Sequence, residues 1–491
     1  MANRKQSRDP LMKCLLIICQ CVFWFQWMST TQLCVAENSK PNVVLIMVDD
    51  MGYGDPGCYN RSSKIPTPVF DSLAKEGMRF TDAHAPGPLC HLSRYGLLTG
   101  TYPFRTDVRK WPKQAVIDPG QTTLATLLGN AGYQTSMVGK WHLGFNEKGY
   151  DLPLPGGPTD CGFDSFFGIR ASTDIPPYFY IRDDRAVSPP TEMIKENRTE
   201  GWSPIQGKFW RAGGIAPDLN LDEVLPRFTR EAIEVIHKHG ESKADNPFFL
   251  YLAYPAPHTP WLPAEQYLGA SKAGLYGDFT TMVDAMVGRV LKALEESGFS
   301  EDTLVIVTSD NGPVWYGVDR ERFGHDSVGG LRGMKADAWE GGHRMPFLVR
   351  WPGHVPAGSV SSQLICFTDV LATLAEIIGV PLNELAGPDS ISFLDTLLNG
   401  NQDSSRRSLA MQTGSGMWVV RKDQWKLISG LGSGGFSKPS RVKASVDGPQ
   451  GQLYDLSNDP AETSNLYLEK PEKVAELKAE LERLQSAERT R

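Results

Sequence analysis

The chain has 491 residues, of which 41% are hydrophobic and 22% charged, as in ordinary soluble globular proteins, and it is long enough for one large domain with a smaller one. Its formal net charge of −7 at pH 7 argues against a nucleic-acid-binding protein, because such proteins are usually basic.

The first 36 residues are predicted to be a signal peptide. Basic residues among the first 13 precede an apolar run at 14–28, and small residues at 34–36 offer a cleavage site. The run is shorter than the roughly 20 residues that a spanning helix needs. We therefore expect export to the periplasm or extracellular space, or to the lysosome in a eukaryote, without stable membrane insertion. An uncleaved membrane anchor is the alternative.

Four of the eight cysteines lie in this signal region, so the mature chain keeps Cys58, Cys90, Cys161 and Cys366. Four cysteines in a chain of this length do not indicate a compact disulfide framework. The sequence leaves open one bridge, either Cys58–Cys161 or Cys161–Cys366.

Four short apolar runs predict buried strands that each end in polar residues. They lie at 42–48, 135–138, 248–253 and 304–308. Continuous apolar runs of this length suit a sheet that is covered on both faces. Helical patterns lie between or beside them, at 68–76, 122–131, 226–239 and 276–297. This alternation predicts an α/β fold.

Each of these predicted strands is followed by charged or metal-binding residues. In open α/β sheets, ligands bind beyond the carboxyl ends of the strands. Here those ends carry charged or metal-binding side chains: Asp49, Asp50, Lys140, His142, His258, Asp310 and Asn311. Each alone could be a solvated loop residue, but together they predict one shared site.

The amino-acid composition of the chain changes after a predicted strand at 346–350 and a predicted helix at 367–379. Glycine and serine accumulate at 430–437, the segments 418–421 and 425–428 predict a hairpin, and an apolar stripe ending at Leu484 predicts a terminal amphipathic helix. We therefore predict a large catalytic domain over 37–385. A small α+β C-terminal subdomain over 386–491 would hold a small antiparallel sheet and the terminal helix.

Cys90 precedes a short helical segment at 93–98, where the positive helix N-terminus could lower a thiol pKa. A lone cysteine is more often buried and inert. Arg94 changes this balance, because it lies four residues on and can donate a fork of hydrogen bonds to an oxyanion.

The polar residues at the strand ends supply two kinds of group. Asp49, Asp50, Asp310 and Asn311 offer hard oxygen ligands, which suit Ca²⁺ or Mg²⁺ rather than zinc. Each pair could instead be a turn or a cap.

Two lysines and two histidines add cationic donors and proton sources of the kind needed to bind an oxyanion and to expel an alkoxide. They are Lys140, Lys335, His142 and His258. Lys335 lies in a glycine-rich segment, which favours a fixed loop over a solvated surface charge.

The motifs CHLSRYGLLTG (90–100), GKWHLG (139–144), PHTP (257–260), SDNG (309–312) and LRGMKADAWEGG (331–342) resemble the sulfatase family. That family lies within the alkaline-phosphatase-like superfamily. The motifs span nearly the whole mature chain in family order, and LYDLSNDPAETSNL (453–466) resembles the usual end of such chains. The resemblance implies an alkaline-phosphatase-like sandwich with a large mixed central sheet, and a sulfuric ester hydrolase.

The resemblance also implies the chemistry. A maturation enzyme would oxidise Cys90 to formylglycine, and one hydroxyl of its hydrate would attack sulfur to give a covalent sulfate ester. The second hydroxyl would then expel sulfate. The metal would be held by Asp49, Asp50, Asp310 and Asn311 together with the modified Cys90; calcium is implied, with magnesium as the alternative.

The roles of the remaining residues follow from the same motif positions. Arg94 and Lys140 would stabilise the hydrate, and His142 would help to deprotonate it. His258 and Lys335 would contact the sulfate and assist protonation of the leaving group. We expect a sulfated carbohydrate or an aryl sulfate as substrate.

Two sequence features could line a sugar-sized pocket. Residues 171–220 are rich in proline and aromatic residues and predict a long loop, and Trp111 is the second candidate.

One position departs from the family pattern. The family's modification signal reads Cys-x-Pro-x-Arg, and Leu92 occupies the proline position here. A non-catalytic sulfate-ester-binding protein, in which Cys90 stays a thiol, is therefore one alternative. A phosphomonoester or phosphonate hydrolase of the same superfamily is another.

Overall fold

A mixed β-sheet forms the centre of the protein in the computed structural model, which describes Met1 and residues 40–242, 244–400 and 406–491. The predicted signal peptide lies outside these described residues, apart from Met1. Within them, no helix is both long enough and apolar enough to cross a membrane.

The strands before residue 370 fall into this sheet and one small ribbon. In chain order they are β1 (Asn42–Asp49), β2 (Met78–His84), β3 (Gln134–Lys140), β4 (Ser165–Ile169), β5 (Ile181–Arg182), β6 (Arg185–Ala186), β7 (Glu192–Ile194), β8 (Gly213–Ile215), β9 (Phe248–Pro257), β10 (Thr303–Ser309), β11 (Arg344–Arg350), β12 (Ser359–Ser361) and β13 (Ile365–Cys366). The central order is β12-β2-β11-β10-β1-β9-β3-β4-β5-β6, with β13 also beside β2, while β7 and β8 pair only with each other.

The four predicted strands are confirmed, and they lie side by side. β1 pairs in parallel with both β10 and β9, and β3 pairs in parallel with β9. Every residue of β1, β9 and β10 is buried, as continuous apolar runs predict for a sheet covered on both faces. Because the four strands run the same way, their carboxyl ends open on one edge of the sheet.

The two longest helices, Val224–Ser242 and Gly274–Glu296, pack against the central strand β9. In chain order the helices are α1 (Pro68–Glu76), α2 (Cys90–Thr99), α3 (Leu124–Asn130), α4 (Val224–Ser242), α5 (Gly274–Glu296), α6 (Gly317–Phe323), α7 (Glu340–His343), α8 (Asp369–Ile377), α9 (Leu394–Asn399) and α10 (Pro471–Ser486). The helix predicted at 122–131 is shorter than expected, because Thr123 is its N-cap and its hydroxyl accepts the Thr126 N–H at 3.1 Å.

The C-terminal part forms a second, antiparallel sheet. Its strands are β14 (Ser408–Gln412), β15 (Trp418–Lys422), β16 (Trp425–Ile428) and β17 (Gln452–Asp455). The predicted hairpin and terminal helix are confirmed: β15 and β16 pair in antiparallel fashion, and Leu477 of α10 packs into the same apolar cluster as Val420 and Leu427. The boundary at residue 386 stays a prediction.

Two expectations are corrected. Among the described cysteines, Cys58, Cys90, Cys161 and Cys366 are all free, so neither bridge that the sequence left open is formed. The segment 171–220 is not one continuous loop. It folds back on itself in the short strands β5 to β8, with β5 extending the central sheet beside β4.

Candidate active site

The ends of β1 and β10 bring three carboxylates together. Asp49 is the last residue of β1, and Asp50 follows in the left-handed conformation, with φ of 64°. The Asp50 N–H donates a hydrogen bond to Asp310 Oδ1 at 3.2 Å, which ties the two strand ends together. All three aspartates are buried. Carboxylates crowded in this way repel one another unless cations lie between them.

Cys90 is the first residue of α2, and its thiol faces this cluster. It is 4% exposed, and its Sγ lies 3.5 Å from Asp49 Oδ1. Burial raises the pKa of the Cys90 thiol far above its usual range, and the charge of Asp310 adds to the effect. The expectation that the helix N-terminus lowers this pKa is therefore wrong, because burial and nearby carboxylates outweigh the helix dipole.

Arg94 and Lys140 bind the carboxylates on one side of Cys90. The Arg94 guanidinium donates to Asp310 Oδ2 from Nε at 3.0 Å and from Nη2 at 2.8 Å, and its Nη1 donates to the Lys140 carbonyl oxygen at 3.0 Å. The Lys140 ammonium donates to Asp49. Burial alone would raise the pKa of Asp49, but Lys140 and His258 lower it well below its usual range, so this carboxylate is ionised.

Asp50 is bound on the other side. Lys335 Nζ donates to Asp50 Oδ1 at 2.6 Å, and Asn311 Nδ2 donates to the same oxygen at 2.7 Å. Burial alone would lower the pKa of Lys335, but Asp50 raises it well above its usual range, so Lys335 is charged. His258 Nε2 lies 3.7 Å from Asp50 Oδ2, while its Nδ1 lies 2.6 Å from the Thr259 carbonyl oxygen.

His142 occupies the edge of the cluster nearest Trp111. It adopts a left-handed backbone conformation, with φ of 60°, and its Nδ1 is buried with no hydrogen-bond partner among the residues that the structure describes. Burial, reinforced by the charge of Lys140, holds the pKa of His142 well below its usual range, so the ring is neutral. The His142 and Trp111 ring centroids are 4.4 Å apart, and His91 stacks on Trp111 at 5.3 Å.

The donor set suits a hard divalent cation. Ligand atoms of Asp49, Asp50, Cys90 and His258 all lie within 4.8 Å of one another. Asn311 Oδ1 is buried and has no hydrogen-bond partner in the described residues. A buried amide oxygen without a partner is costly, and a cation shared with the neighbouring carboxylates would satisfy it. The oxygens of Asp49, Asp50 and Asn311 suit Ca²⁺ or Mg²⁺, whereas the Cys90 thiol and His258 are ligand types that zinc prefers.

All of the candidate residues predicted from sequence thus reach one site, and the structure adds a further one. Asp174 is buried, and its Oδ1 lies 4.0 Å from His258 Nδ1, while Arg211 Nη1 holds its other oxygen at 2.5 Å. Its place in the predicted loop over 171–220 gave no motif by which to find it.

Comparisons with known proteins agree with this geometry. A family model described as Sulfatase matches residues 41–380. The chain is 33% identical over 484 residues to N-acetylgalactosamine-6-O-sulfatase of Bacteroides thetaiotaomicron, covering 91% of this chain and 93% of that protein. It is 34% identical over 459 residues to human arylsulfatase A, covering 88% and 84%.

A solved structure agrees as well. It comes from work on the metabolism of multiple glycosaminoglycans by Bacteroides thetaiotaomicron. It superposes with a TM-score of 0.78 at 32% identity, covering 91% of this chain and all of that one.

Proposed function

The chain belongs to the sulfatase family, and from that premise we propose that it hydrolyses a sulfate ester of a carbohydrate through a formylglycine formed from Cys90. The carbohydrate is favoured over an aryl sulfate because the relatives include an N-acetylgalactosamine-6-O-sulfatase and a protein studied for glycosaminoglycan metabolism.

One observation carries this proposal. The buried thiol of Cys90 faces Asp49 at 3.5 Å, in a site where carboxylates alternate with the side chains of Arg94, Lys140 and Lys335. Such a site can hold a cation and the oxygens of a sulfate group together, because it offers both carboxylate ligands and cationic donors.

The two implied groups divide the chemistry between them. A divalent cation, for which we propose Ca²⁺ with Mg²⁺ as the alternative, would be held by Asp49, Asp50, Asp310 and Asn311 and would neutralise sulfate oxygens. Formylglycine at position 90 would supply, as its hydrate, two hydroxyls on one carbon, one to attack sulfur and one to release the product.

The chain's own side chains do the rest. Arg94 and Lys140, fixed by their bonds to Asp310 and Asp49, would orient the hydroxyls of residue 90. Neutral His142 would accept a proton there through Nδ1, which has no hydrogen-bond partner within the described part of the chain.

The leaving-group side is built differently. Lys335 is charged and would bind a sulfate oxygen. The Thr259 carbonyl oxygen accepts from His258 Nδ1, which places the proton of the neutral ring there. The doubly protonated ring would donate its second proton, from Nε2, to the departing sugar oxygen.

Mass spectrometry combined with kinetics tests this proposal. The peptide carrying residue 90, purified from the native host, should contain formylglycine, and the enzyme should cleave nitrophenyl sulfate faster than nitrophenyl phosphate. The Cys90→Ala variant should fold normally and cleave neither compound. A preference for the phosphate would instead support a phosphomonoester hydrolase.

Leu92 favours a second candidate, a sulfate-ester-binding protein without turnover. It replaces the family's proline in the modification signal, and an unmodified Cys90 would be a poor nucleophile because burial raises its pKa. A protein from the native host that carries only the thiol at position 90, binds sulfated sugars and does not cleave them would establish this candidate over the first.

We further propose that the protein is exported. The basic and apolar pattern of residues 1–36 supports this. The N-terminal sequence of the protein secreted by its host tests it, with Glu37 expected as the first residue.

A further inference from the structure

The loop 331–339, which carries Lys335, is bonded through its backbone to two distant parts of the chain. The Lys335 N–H donates to the Pro313 carbonyl oxygen at 2.9 Å, and the Ala336 N–H donates to the Pro88 carbonyl oxygen at 2.8 Å. Ala336 adopts the left-handed conformation, with φ of 70°, which is uncommon for a residue that has a Cβ atom. Such a conformation persists only where the surrounding structure holds it. The contacts around Ala336 therefore help to decide where Lys335 lies.

The glycine- and serine-rich segment 430–437, which lies between β16 and β17, packs directly on this loop. A Cβ atom added to Gly435 would lie 2.3 Å from both the carbonyl carbon and the carbonyl oxygen of Ala336, and 2.6 Å from the Asp337 nitrogen. A side chain cannot approach the backbone so closely, so this contact requires glycine. The Ala338 N–H adds a hydrogen bond to the Ser433 carbonyl oxygen at 2.7 Å. The C-terminal segment thus touches the chain immediately after Lys335.

Asp337 bonds the same segment to the other side of Lys335. This aspartate is fully buried. Its Oδ1 accepts the Ser437 N–H at 3.1 Å, and its Oδ2 accepts the Met334 N–H at 3.0 Å. A buried carboxylate needs such hydrogen bonds, because it has lost its contact with water. One side chain therefore connects the residue before Lys335 to the C-terminal segment.

We propose that Gly435 and Asp337 are positioning residues, which hold Lys335 in place beside Asp50, where its Nζ lies 2.6 Å from Oδ1. The inference rests on the proposed function and deepens it, because it gives the C-terminal segment 430–437 a role in binding the sulfate group. Both residues act through the backbone on either side of Lys335 and not by contact with the substrate.

Gly435→Ala on the modified, metal-loaded enzyme tests this role. The new methyl group must displace the backbone of Ala336, and Lys335 with it. The inhibition constant for inorganic sulfate, a competitive inhibitor of nitrophenyl sulfate cleavage, should rise by about tenfold, which corresponds to about 1.4 kcal/mol. This constant does not depend on the fraction of molecules converted to formylglycine. The value of kcat/KM per converted molecule should fall by about tenfold to a hundredfold.

Asp337→Asn is the second variant, and it makes no steric demand. The amide keeps one acceptor oxygen but turns an N–H donor toward one of the two backbone N–H groups. Both constants should therefore change in the same direction as in Gly435→Ala. If Gly435→Ala does not fold, Asp337→Asn decides the question.

Gly430→Ala is the matched control, because Gly430 lies in the same segment and away from the loop. A Cβ atom there would meet only the flexible side chain of Met417, at 3.2 Å or more. Neither constant should change. Hydrogen exchange, measured by mass spectrometry on the peptide that spans residues 334–338, gives an independent readout. The exchange should be faster in Gly435→Ala and Asp337→Asn and unchanged in Gly430→Ala.

The results separate the two proposals. Weaker sulfate inhibition together with faster exchange in the loop supports the inference. An unchanged inhibition constant in a folded Gly435→Ala or Asp337→Asn protein, even with lower kcat, overturns the inference and leaves the proposed function intact. An equal effect in Gly430→Ala also overturns it. A wild-type enzyme that carries formylglycine and metal but cleaves no sulfate ester overturns the proposed function, and the inference with it.

Discussion

Replacing Lys426 by methionine should destabilise the protein strongly, because this lysine neutralises two buried carboxylates. Lys426 lies on β16 and is fully buried. Its Nζ is 2.9 Å from Glu340 Oε1, 2.9 Å from Glu462 Oε1 and 3.1 Å from His343 Nε2. Methionine fills a similar volume without the charge, so the change isolates the electrostatic contribution.

The expected loss of stability follows from the buried carboxylates of Glu340 and Glu462, which lose their counter-charge. Breaking a buried ion pair by removing one partner costs about 3–5 kcal/mol. Burial already raises the pKa of Glu462 to about 7, even though Lys426 lowers it. Without the lysine this carboxyl can take up a proton and avoid part of the cost. We therefore expect a loss near the lower end, about 3 kcal/mol in the free energy of unfolding.

Urea unfolding, followed by circular dichroism, measures this loss. Lys422→Met is the matched control, because Lys422 lies on the neighbouring strand β15 and pairs with Glu476 at 2.9 Å, but both side chains are partly exposed. An exposed pair contributes at most about 1 kcal/mol. Equal losses of the free energy of unfolding in the two variants would refute the reasoning. Burial would then have no effect on how much an ion pair contributes to stability.

Three further predictions follow. Removing divalent cations with a chelator should abolish sulfate ester hydrolysis and lower the unfolding temperature, because the buried aspartates would then be neutralised only by Arg94, Lys140 and Lys335; calcium should restore both, and full activity in chelator would contradict the metal assignment. Leu92→Pro should raise the fraction of formylglycine at position 90 measured by mass spectrometry, with the fold retained. Proline is tolerated at position 92, in the first turn of α2, because the helical hydrogen bonds begin one residue later, where the Ser93 N–H donates to the Leu89 carbonyl oxygen. An unchanged fraction of formylglycine would show that Leu92 does not limit conversion. Burial raises the pKa of Asp284 from 3.8 to about 7, so the stability that its neutral form contributes is complete below about pH 4 and lost as the pH rises through about 7. The free energy of unfolding of Asp284→Asn, measured by urea titration, should therefore gain on that of the wild type by up to a few kcal/mol from pH 5 to pH 8, whereas parallel pH profiles of the two proteins would contradict this sign.

Much of the catalytic edge could be predicted because its residues follow apolar runs. Parallel strands place their carboxyl ends together, so Asp49, Lys140, His258 and Asp310 could be assigned to one edge before any register was known. Lys335 follows no strand of the parallel set; its glycine-rich segment made it a candidate, and the family resemblance gave it a role.

Other features depend on packing between distant segments and left no local pattern. Asp174 approaches His258 only because the segment before β5 folds back over the sheet edge. Glu462 reaches the interior because the chain after β17 returns to α7, where its carboxylate accepts the Glu340 N–H at 2.7 Å. The sign of the Cys90 pKa shift was wrong for the same reason, since a helix N-terminus is visible in a sequence but the depth of burial is not.

The burial of Cys90 has a consequence for the order of events during biosynthesis. Residue 90 is buried, and the bond from Arg94, on the same helix, to Asp310, just after β10, joins residues 216 positions apart. Under the proposed conversion to formylglycine, the modifying enzyme would have to reach this cysteine before the segment that ends in Asp310 docks. Conversion would then compete with folding, and a chain that folded first would keep its thiol.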